Sequence, residues 1–260
     1  MSKITFVGAG NMGGALLSAV AALNEHEIFV IEPNAARMAE VCRLYGAKAA
    51  TAADLTDSDV VFLGVKPQML AATVEGLTLN ERPLYVSMAA GVPLARLSAL
   101  LPRGAAIVRI MPNTSVAVGE GMILYAPNAE VSADQKQLFL SILAKAGKVD
   151  ELDERLIDAA SAVSGCGPAY VYMFIEALAD GAVACGLPRQ KALLYAEQTI
   201  LGAAKTAMST AKHPEQLKDE VCSPAGSTIE GVRALEEGGL RAACIDAVTK
   251  AYLRTKELGK

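Results

Sequence analysis

A glycine-rich segment near the amino terminus is the first place where residue types and spacing could do chemistry. Residues 4–14 read Ile-Thr-Phe-Val-Gly-Ala-Gly-Asn-Met-Gly-Gly, a GxGxxG pattern that follows an apolar run and opens a helical pattern. In such a unit the first glycine allows a tight turn, the second lets the backbone approach a pyrophosphate, and the third lets the helix pack on the strand. The segment therefore predicts a dinucleotide site that contains Gly8, Ala9, Gly10, Asn11, Met12 and Gly13.

The residues after the second apolar run could select the dinucleotide. Glu32 follows Gly10 by 22 residues (32 − 10), close to the position of an acid that binds a ribose 2′-hydroxyl and so favours NAD. Asn34 and Arg37 come soon after it, and a nearby arginine can accommodate the 2′-phosphate of NADP. The residues alone give mixed evidence on the cofactor, and Glu32 also has the ordinary interpretation of a solvated strand end.

Three further segments stand where predicted strands end. They are Val65-Lys66-Pro67, Ala89-Ala90-Gly91 and the segment Met111–Thr114, which contains Asn113. Ligands of a doubly wound sheet bind outside the carboxyl ends of its parallel strands, so these segments are predicted to line one crevice. The alternative is that each is only a tight loop.

Two turns of small residues in the second half of the chain could hold an anion. Residues 164–170 read Ser-Gly-Cys-Gly-Pro-Ala-Tyr and residues 223–228 read Ser-Pro-Ala-Gly-Ser-Thr, and each leads into a helical pattern. Backbone N–H groups and hydroxyls at such a turn can hold a carboxylate without a charged side chain. Ordinary helix capping by Ser223 or Ser227 explains the second turn equally well.

The elements that would position these residues divide the chain at residue 151. Over residues 1–151, short apolar runs alternate with helical patterns, which predicts a doubly wound α/β domain with a parallel sheet covered on both faces. The predicted strands are Lys3–Val7, Glu27–Ile31, Val60–Val65, Leu84–Met88 and Ala106–Ile110, with weaker candidates at Met122–Tyr125 and Lys148–Val149. Residues 152–260 show only helical patterns, so they predict an all-α domain that a helix near 152–163 joins to the first.

One helical pattern bears on assembly. Residues 168–185 hold only two charges, Glu176 and Asp180, and apolar residues fall on every face, so the helix should be buried on all sides. A helical domain of 109 residues (260 − 151) has a limited interior, which favours cover by helices of a second chain in an interwoven dimer. Burial against the first domain is the alternative.

Composition excludes several classes of function. A net charge of −4, 5% aromatic residues and no tryptophan argue against a nucleic-acid partner. With two histidines and five scattered cysteines, neither a metal site nor a disulfide framework is expected, and a reducing cytoplasm fits. Cys166 and Cys222 are interpreted as packing residues.

The uncharged run 4–24 resembles a secretory signal, but four glycines interrupt its centre, so no membrane segment is expected there.

Taken together, these motifs resemble the pyrroline-5-carboxylate reductase family over nearly the whole chain and in the right order. The resemblance rests on GAGNMGGAL at 8–16, VKP at 65–67, AAG at 89–91, MPNT at 111–114, SGCGPAY at 164–170 and HPEQLKDEVCSPAGSTIEGVRALEEGGLR at 213–241. It implies an amino-terminal Rossmann-like domain, a helical dimerisation domain, and a homo-oligomer built from dimers. It also implies reduction of the cyclic imine Δ1-pyrroline-5-carboxylate to L-proline, the last step of proline biosynthesis, with NADPH as cofactor and NADH as the alternative.

The resemblance also implies where the substrate binds. Its carboxylate would lie on Ser223 and on the N–H groups of Gly226, Ser227 and Thr228, with the Thr228 hydroxyl beside the ring nitrogen as the catalytic candidate. Members of the family usually read SPGGTT or SPGGAT here, whereas this chain has Ala225 and Ser227. Because an alanine restricts the backbone at this position, the fine geometry of the turn is expected to differ.

Two other functions are compatible with a dinucleotide domain followed by helices. A β-hydroxyacid dehydrogenase would carry a catalytic lysine on the helix after a GxGxxxK-type turn, but the matching position here is Val171. A non-enzymatic dinucleotide sensor would need an effector surface or a DNA-binding segment, and the sequence shows neither.

Overall fold

The computed structural model describes residues 1–258, and its amino-terminal part is built on one eight-stranded sheet. The strands are β1 (Lys3–Val7), β2 (Glu27–Ile31), β3 (Lys48–Ala49), β4 (Val60–Leu63), β5 (Leu84–Ser87), β6 (Ile107–Met111), β7 (Gly121–Pro127) and β8 (Gly147–Glu151). Their order across the sheet is β3-β2-β1-β4-β5-β6-β7-β8. The order reverses between β1 and β4, which is where a sheet of this type opens a ligand crevice.

Six strands, β1 to β6, run parallel, as the apolar runs predict, but β7 does not. It pairs antiparallel to β6, with Arg109 opposite Ala126, and β8 then pairs parallel to β7. The five apolar runs predict a parallel sheet and their strands are parallel, whereas the sequence gives no direction for the weaker candidates at Met122–Tyr125 and Lys148–Val149, which correspond to β7 and β8. The chain reaches β7 from β6 through a single short 3₁₀ helix, Thr114–Val118, and such a short connection suits an antiparallel neighbour rather than a parallel crossover.

Helices cover both faces of the sheet. Those of this part are α1 (Asn11–Ala21), α2 (Ala35–Tyr45), α3 (Leu70–Glu75), α4 (Leu94–Leu100) and α5 (Ala133–Ile142). Phe62 packs in the core on one face, where its ring stacks on that of Phe6 at 4.6 Å, whereas its neighbour Leu63 packs in the core on the other face. Alternate residues of a strand point to opposite faces, so covering both faces requires the continuous apolar runs that the sequence shows.

The remaining helices are α6 (Glu154–Ser164), α7 (Gly167–Ala184), α8 (Arg189–Ser209), α9 (Pro214–Val221), α10 (Ser227–Glu237) and α11 (Leu240–Leu258). The sequence predicts helices at 152–163, 168–185, 188–209, 228–237 and 240–258, which correspond to all of these helices except α9. The sequence patterns also miss β3, which has only two residues. Helix α9 has only eight residues, and Leu217 and Val221 are its only large aliphatic side chains, too few for a periodicity argument.

Contacts within the chain group it into two compact units, Met1–Pro168 together with the residues from Ala251 onwards, and Ala169–Lys250. Helix α6 belongs to the first unit because the buried Arg109 of β6 forms ion pairs with Glu154 and Asp158 of that helix. The contacts separate the two units after Pro168, whereas the sequence predicts a domain boundary between residues 151 and 152. That domain boundary stays a prediction.

Within the second unit, α7 is apolar but not buried by its own chain. Of its residues only Ala179 is buried, whereas Met173 is 71% and Tyr172 61% exposed. The expectation of burial on all sides is thus not met within one chain. The stretch Glu154–Ala184 is also long and apolar enough to cross a membrane by length and composition alone, although two residues in a turn, Gly165 and Cys166, interrupt it.

Candidate functional site

Three glycines bring the ends of β1, β4 and α1 into backbone contact at the crevice. Gly8, directly after β1, has a φ of +91°, a conformation that side chains disfavour. A Cβ added to Gly13 of α1 would lie 2.4 Å from the Gly8 carbonyl oxygen, and one added to Gly64 after β4 would lie 2.6 Å from the same atom. The predicted roles of Gly8 and Gly13 thus have a steric basis here. Sequence reasoning missed Gly64, although it stands directly before the Val65-Lys66-Pro67 motif.

Gly10 leaves open the space that a pyrophosphate needs. Nothing lies within 4 Å of the position where its Cβ would stand, and it caps α1 without any side-chain hydrogen bond. The backbone N–H groups of the first helical residues, Asn11, Met12 and Gly13, therefore keep their usual capacity to bind an anion. Ala9 is fully buried, and Met12 packs partly against the core. The loop fits a dinucleotide diphosphate.

The carboxylate of Glu32 is held between two loops. The backbone N–H of Ala9 donates to its Oε2 at 2.9 Å, and the backbone N–H of Asn34 donates to its Oε1 at 3.0 Å. Glu32 therefore contacts the glycine-rich loop directly, at the end of β2 where a ribose-binding acid is expected. It is not merely a solvated strand end.

Asn34 and Arg37 already have partners in the protein. The Asn34 side chain caps α2 by accepting from the Arg37 backbone N–H at 3.0 Å. The Arg37 guanidinium donates through Nε to the Ala9 carbonyl at 2.7 Å and through Nη1 to Glu40 at 2.6 Å. Arg37 lies beside the loop as predicted, but its guanidinium must leave Glu40 before it can bind a 2′-phosphate with both of its terminal nitrogens.

The segments after β4 and β5 lie at the carboxyl ends of neighbouring parallel strands, where the sequence predicts the rim of a crevice. Val65 is half-buried against the core, and Lys66 is exposed and forms no ion pair within residues 1–258. Pro67 opens a short 3₁₀ helix. After β5, residues 89–91, Ala89, Ala90 and Gly91, form a tight turn that the Val92 N–H closes by donating to the Ala89 carbonyl at 3.3 Å.

Asn113 does not offer its side chain to a ligand. Its Nδ2 donates to the Ser164 carbonyl at 2.9 Å, and its Oδ1 accepts from the Met122 backbone N–H at 3.2 Å. The residue is 8% exposed. The amide therefore ties the end of β6 to β7 and to the end of α6, so any contact of Asn113 with the cofactor would have to come from its backbone.

In the second unit, Ser223 to Gly226 form a turn that requires a left-handed residue. The Gly226 N–H donates to the Ser223 carbonyl at 3.0 Å, Pro224 follows Ser223, and Ala225 has a φ of +55°. This is the pattern of a type II turn, whose third residue is normally glycine. The departure at Ala225 thus falls on the one position of the turn where a Cβ is disfavoured, and the alanine adopts the glycine-like conformation.

The turn leaves few polar groups available to a substrate. Gly226 caps α10 without a side-chain hydrogen bond, and a Cβ added to it would lie 2.4 Å from the Ser223 hydroxyl oxygen. Within residues 1–258, the backbone N–H groups and hydroxyls of Ser227 and Thr228 have no hydrogen-bond partner, and both residues are exposed. The Gly226 N–H is occupied inside the turn, so two of the three predicted N–H donors remain free.

Comparison with known proteins decides the family. Residues 154–258 match the family model for pyrroline-5-carboxylate reductase dimerisation, and residues 3–91 match that for coenzyme F420-dependent NADP oxidoreductase. The chain is 41% identical over 265 residues to pyrroline-5-carboxylate reductase of Escherichia coli, covering 99% of this chain and 98% of that protein. It is 38% identical over 268 residues to pyrroline-5-carboxylate reductase 2 of Homo sapiens, covering 98% and 83%.

The chain belongs to the pyrroline-5-carboxylate reductase family. Among solved structures, pyrroline carboxylate reductase of Plasmodium falciparum with NADP bound superimposes with a TM-score of 0.90 at 29% identity, covering 100% of this chain and 98% of that one. The Streptococcus pyogenes enzyme superimposes with a TM-score of 0.90 at 30% identity, covering 98% of each chain.

Membership of the pyrroline-5-carboxylate reductase family confirms the resemblance, the Rossmann-like fold followed by helices, and the class of NAD(P)H-dependent oxidoreductases. The β-hydroxyacid dehydrogenase and dinucleotide-sensor alternatives are set aside. The region that matches the dimerisation model includes α7, and the chain assembles with copies of itself. No group of three or more His, Cys, Asp or Glu residues able to hold a metal occurs in the described part of the chain.

Proposed function

We propose that this protein reduces the C=N bond of Δ1-pyrroline-5-carboxylate to L-proline with NAD(P)H. The observation that carries this function is the family match over 99% of the chain. In such a reaction the nicotinamide supplies the hydride, and the protein binds and orients the reactants.

The glycine-rich loop and the rim are proposed to hold the dinucleotide. Gly8, Gly10 and Gly13 allow the backbone of the loop to approach the pyrophosphate. Glu32, Asn34 and Arg37 would face the adenosine ribose. The rim segments, Val65-Lys66-Pro67 and Ala89-Ala90-Gly91, would line the path towards the nicotinamide, where the exposed Lys66 ammonium can meet a phosphate or hydroxyl. Asn113 would contribute through its backbone.

The turn before α10 is proposed to hold the substrate carboxylate. The N–H groups of Ser227 and Thr228 stand at the amino terminus of an eleven-residue helix, where the helix dipole favours a negative charge. The Ser223 hydroxyl would be a third donor. The Gly226 contribution is steric, because a side chain at Gly226 would collide with Ser223.

The Thr228 hydroxyl is proposed to hydrogen-bond the imine nitrogen. An imine accepts hydride when its nitrogen is protonated or hydrogen-bonded, and a threonine hydroxyl can donate one hydrogen bond there. Because a hydroxyl is a weak acid, Thr228 would position a substrate that arrives as the iminium or takes its proton from water.

Assembly and location complete the proposal. The assembly is proposed to be built from dimers through α7, with NADPH preferred over NADH. The protein is proposed to act in the cytoplasm, without a membrane or a nucleic acid as partner.

A direct assay tests the function. The purified protein is mixed with NADPH or NADH, and the loss of the reduced nucleotide is followed with Δ1-pyrroline-5-carboxylate, while proline is quantified as the product. The expected result is nucleotide oxidation that depends on the imine and yields proline in equal amount. Reduction of NADP+ or NAD+ by a hydroxyacid, with no oxidation of the reduced nucleotide by the imine, would contradict the proposal.

A further inference from the structure

A charged network joins α9, α10 and α11 in the second unit. Arg241 of α11 donates through Nε to Glu236 at 2.7 Å and through Nη2 to Glu215 at 2.6 Å. Lys218 lies 2.8 Å from the second oxygen of Glu215. Lys218 and Arg241 together lower the pKa of Glu215 to about 2. These four residues belong to the segment 213–241, and the proposed function gives them no role.

The network lies at the far ends of two helices that flank the substrate turn. Glu215 stands in the first turn of α9 and Glu236 in the last turn of α10, while the turn joins the other two ends. Because one guanidinium binds both carboxylates, α9 and α10 must fold back on each other as a helical hairpin. The turn is at the tip of this hairpin, and Glu215, Lys218, Glu236 and Arg241 form what we call the base clasp.

Apolar packing does not fix the base of the hairpin. Neither α9 nor α10 has a buried residue in the chain, and a cavity of about 200 Å³ lies beside the base clasp. It is lined by Lys218, Val232, Leu235, Glu236, Leu240 and Arg241. Within this chain, charge-assisted hydrogen bonds therefore link the two helices directly at this end, where few apolar side chains are available to pack.

The base clasp suits a positioning role better than a role in global stability. Its side chains are 34–56% exposed, and exposed ion pairs contribute little to the free energy of unfolding. An arginine that binds two carboxylates through its planar fork nevertheless fixes their relative position.

We propose that Arg241 is a positioning residue for the substrate turn. By tying the start of α9 to the end of α10, it sets the spacing of the helices and so the direction of the Ser227 and Thr228 N–H groups. This inference rests on the proposed function of that turn as the carboxylate site.

The test compares Arg241→Gln with the matched control Arg233→Gln. Arg233 is an exposed arginine that also pairs with two glutamates, but Glu230 and Glu237 both lie on its own helix α10. Arg241→Lys serves as the conservative variant, since it keeps the charge but cannot bind both carboxylates in fork geometry. For each protein the KM of both substrates, kcat, the melting temperature and hydrogen exchange of the 222–230 peptide are measured.

For Arg241→Gln we expect the KM for pyrroline-5-carboxylate to rise about three- to tenfold, with kcat within about twofold, as is typical when one member of an ionic network is lost. The KM for the nucleotide should stay unchanged, and amides of the 222–230 peptide should exchange faster. Arg241→Lys should raise the KM for the imine and the exchange rate less than Arg241→Gln does. Arg233→Gln should match the wild type in both quantities.

Two results would overturn the positioning role: unchanged KM and exchange in Arg241→Gln, or a parallel loss of kcat, both KM values and melting temperature. The exchange measurement does not depend on catalysis. A wild-type protein inactive on the imine would therefore refute the proposed function, while the exchange comparison still decides whether Arg241 orders the turn.

Discussion

The carboxylate of Glu32 and the backbone N–H of Ala9 are joined by a hydrogen bond of 2.9 Å. The residue proposed to face the ribose is thereby fixed to the loop proposed to face the pyrophosphate, with the Asn34 N–H as a second anchor at 3.0 Å. A carboxylate so held cannot swing away when a 2′-phosphate approaches without giving up both bonds. The nearby Arg37 offers the opposite charge, but Glu40 holds part of its guanidinium.

Replacing Glu32 with serine should shift the preference of the enzyme towards NADPH. Because the substitution removes a negative charge beside the 2′-phosphate, the ratio of kcat/KM for NADPH to that for NADH should rise roughly ten- to hundredfold. Steady-state kinetics with both nucleotides measures the ratio. Glu27→Gln, at the other end of β2, is the control that should leave it unchanged. An unaltered ratio in Glu32→Ser would mean that Glu32 does not face the ribose.

Thr228→Ala should fold normally and lose catalytic efficiency. One hydrogen bond to a charged group contributes ~1.5–3 kcal/mol, which corresponds to roughly ten- to two-hundredfold in kcat/KM. Thr228→Ser should keep most of the activity because it retains the hydroxyl. Cys222→Ser should leave kcat/KM nearly unchanged. Wild-type kcat/KM in Thr228→Ala would refute the placement of the imine nitrogen, and a loss above about a thousandfold would indicate a true proton donor.

The left-handed conformation of Ala225 predicts a gain from glycine. Ala225→Gly should raise the free energy of unfolding by at most about 1 kcal/mol, since relief of strain is partly offset by the greater freedom of glycine in the unfolded chain. Urea unfolding measures the change. Ala211→Gly is the matched control: Ala211 is an exposed residue outside helices and strands without a positive φ, so the same substitution should lower stability there. Equal changes at both positions would argue against strain at Ala225.

The exposed face of α7 should lie in a subunit interface. Met173→Glu places a charge at a residue that is 71% exposed in the single chain, and it should dissociate or precipitate the oligomer. Light scattering of the wild type at nanomolar concentration should detect no folded monomer. Leu44→Glu on α2, at a residue 48% exposed, is the control that should leave assembly intact. A stable wild-type monomer with full helicity would exclude the interface.

His26 should make the protein less stable in mild acid. Its two ring nitrogens are buried without a hydrogen-bond partner in the described structure, and this burial lowers the pKa of the imidazole despite the nearby Glu25. The unfolded chain therefore takes up the proton first, so the contribution of His26 is complete above a pH of about 6.5 and is lost as the pH falls through the folded-state pKa.

The acid sensitivity of His26 can be measured by urea unfolding between about pH 7.5 and pH 5.5. His26→Leu should lose less stability over this interval than the wild type. Leu44→Gln changes an exposed, non-titrating residue of α2 and should show the wild-type slope. Identical slopes for wild type and His26→Leu would show that His26 does not carry the effect.

Sequence reasoning succeeds where one short-range pattern determines the structure. The bounds of β1 and β2 are predicted correctly, because apolar runs covered on both faces end abruptly at polar or glycine residues. Ala225 is identified as unusual through the family resemblance, because related sequences carry glycine at that position, and its positive φ in a type II turn supplies the physical reason.

Sequence reasoning fails where the role of a residue depends on residues that are distant along the chain. The role of Gly64 depends on the carbonyl of Gly8, 56 positions away (64 − 8), and no local pattern contains that distance. Likewise the Asn113 amide is used by Ser164 and Met122, which become its neighbours only after β7 turns back along β6. From sequence alone, a polar residue at a strand end predicts a ligand contact. In this fold, the Asn113 side chain instead forms hydrogen bonds with backbone groups of the protein itself.

The contact between Gly8, Gly13 and Gly64 has a consequence for how this enzyme can diverge. In the proposed site, the diphosphate meets backbone atoms from three elements packed too closely for any side chain, so this part of the site is closed to gradual substitution. The residues proposed to choose between nucleotides are instead replaceable side chains at positions 32–40. Cofactor preference can therefore drift between lineages, or be redesigned in the laboratory, while the chain keeps the same fold and the same diphosphate cradle.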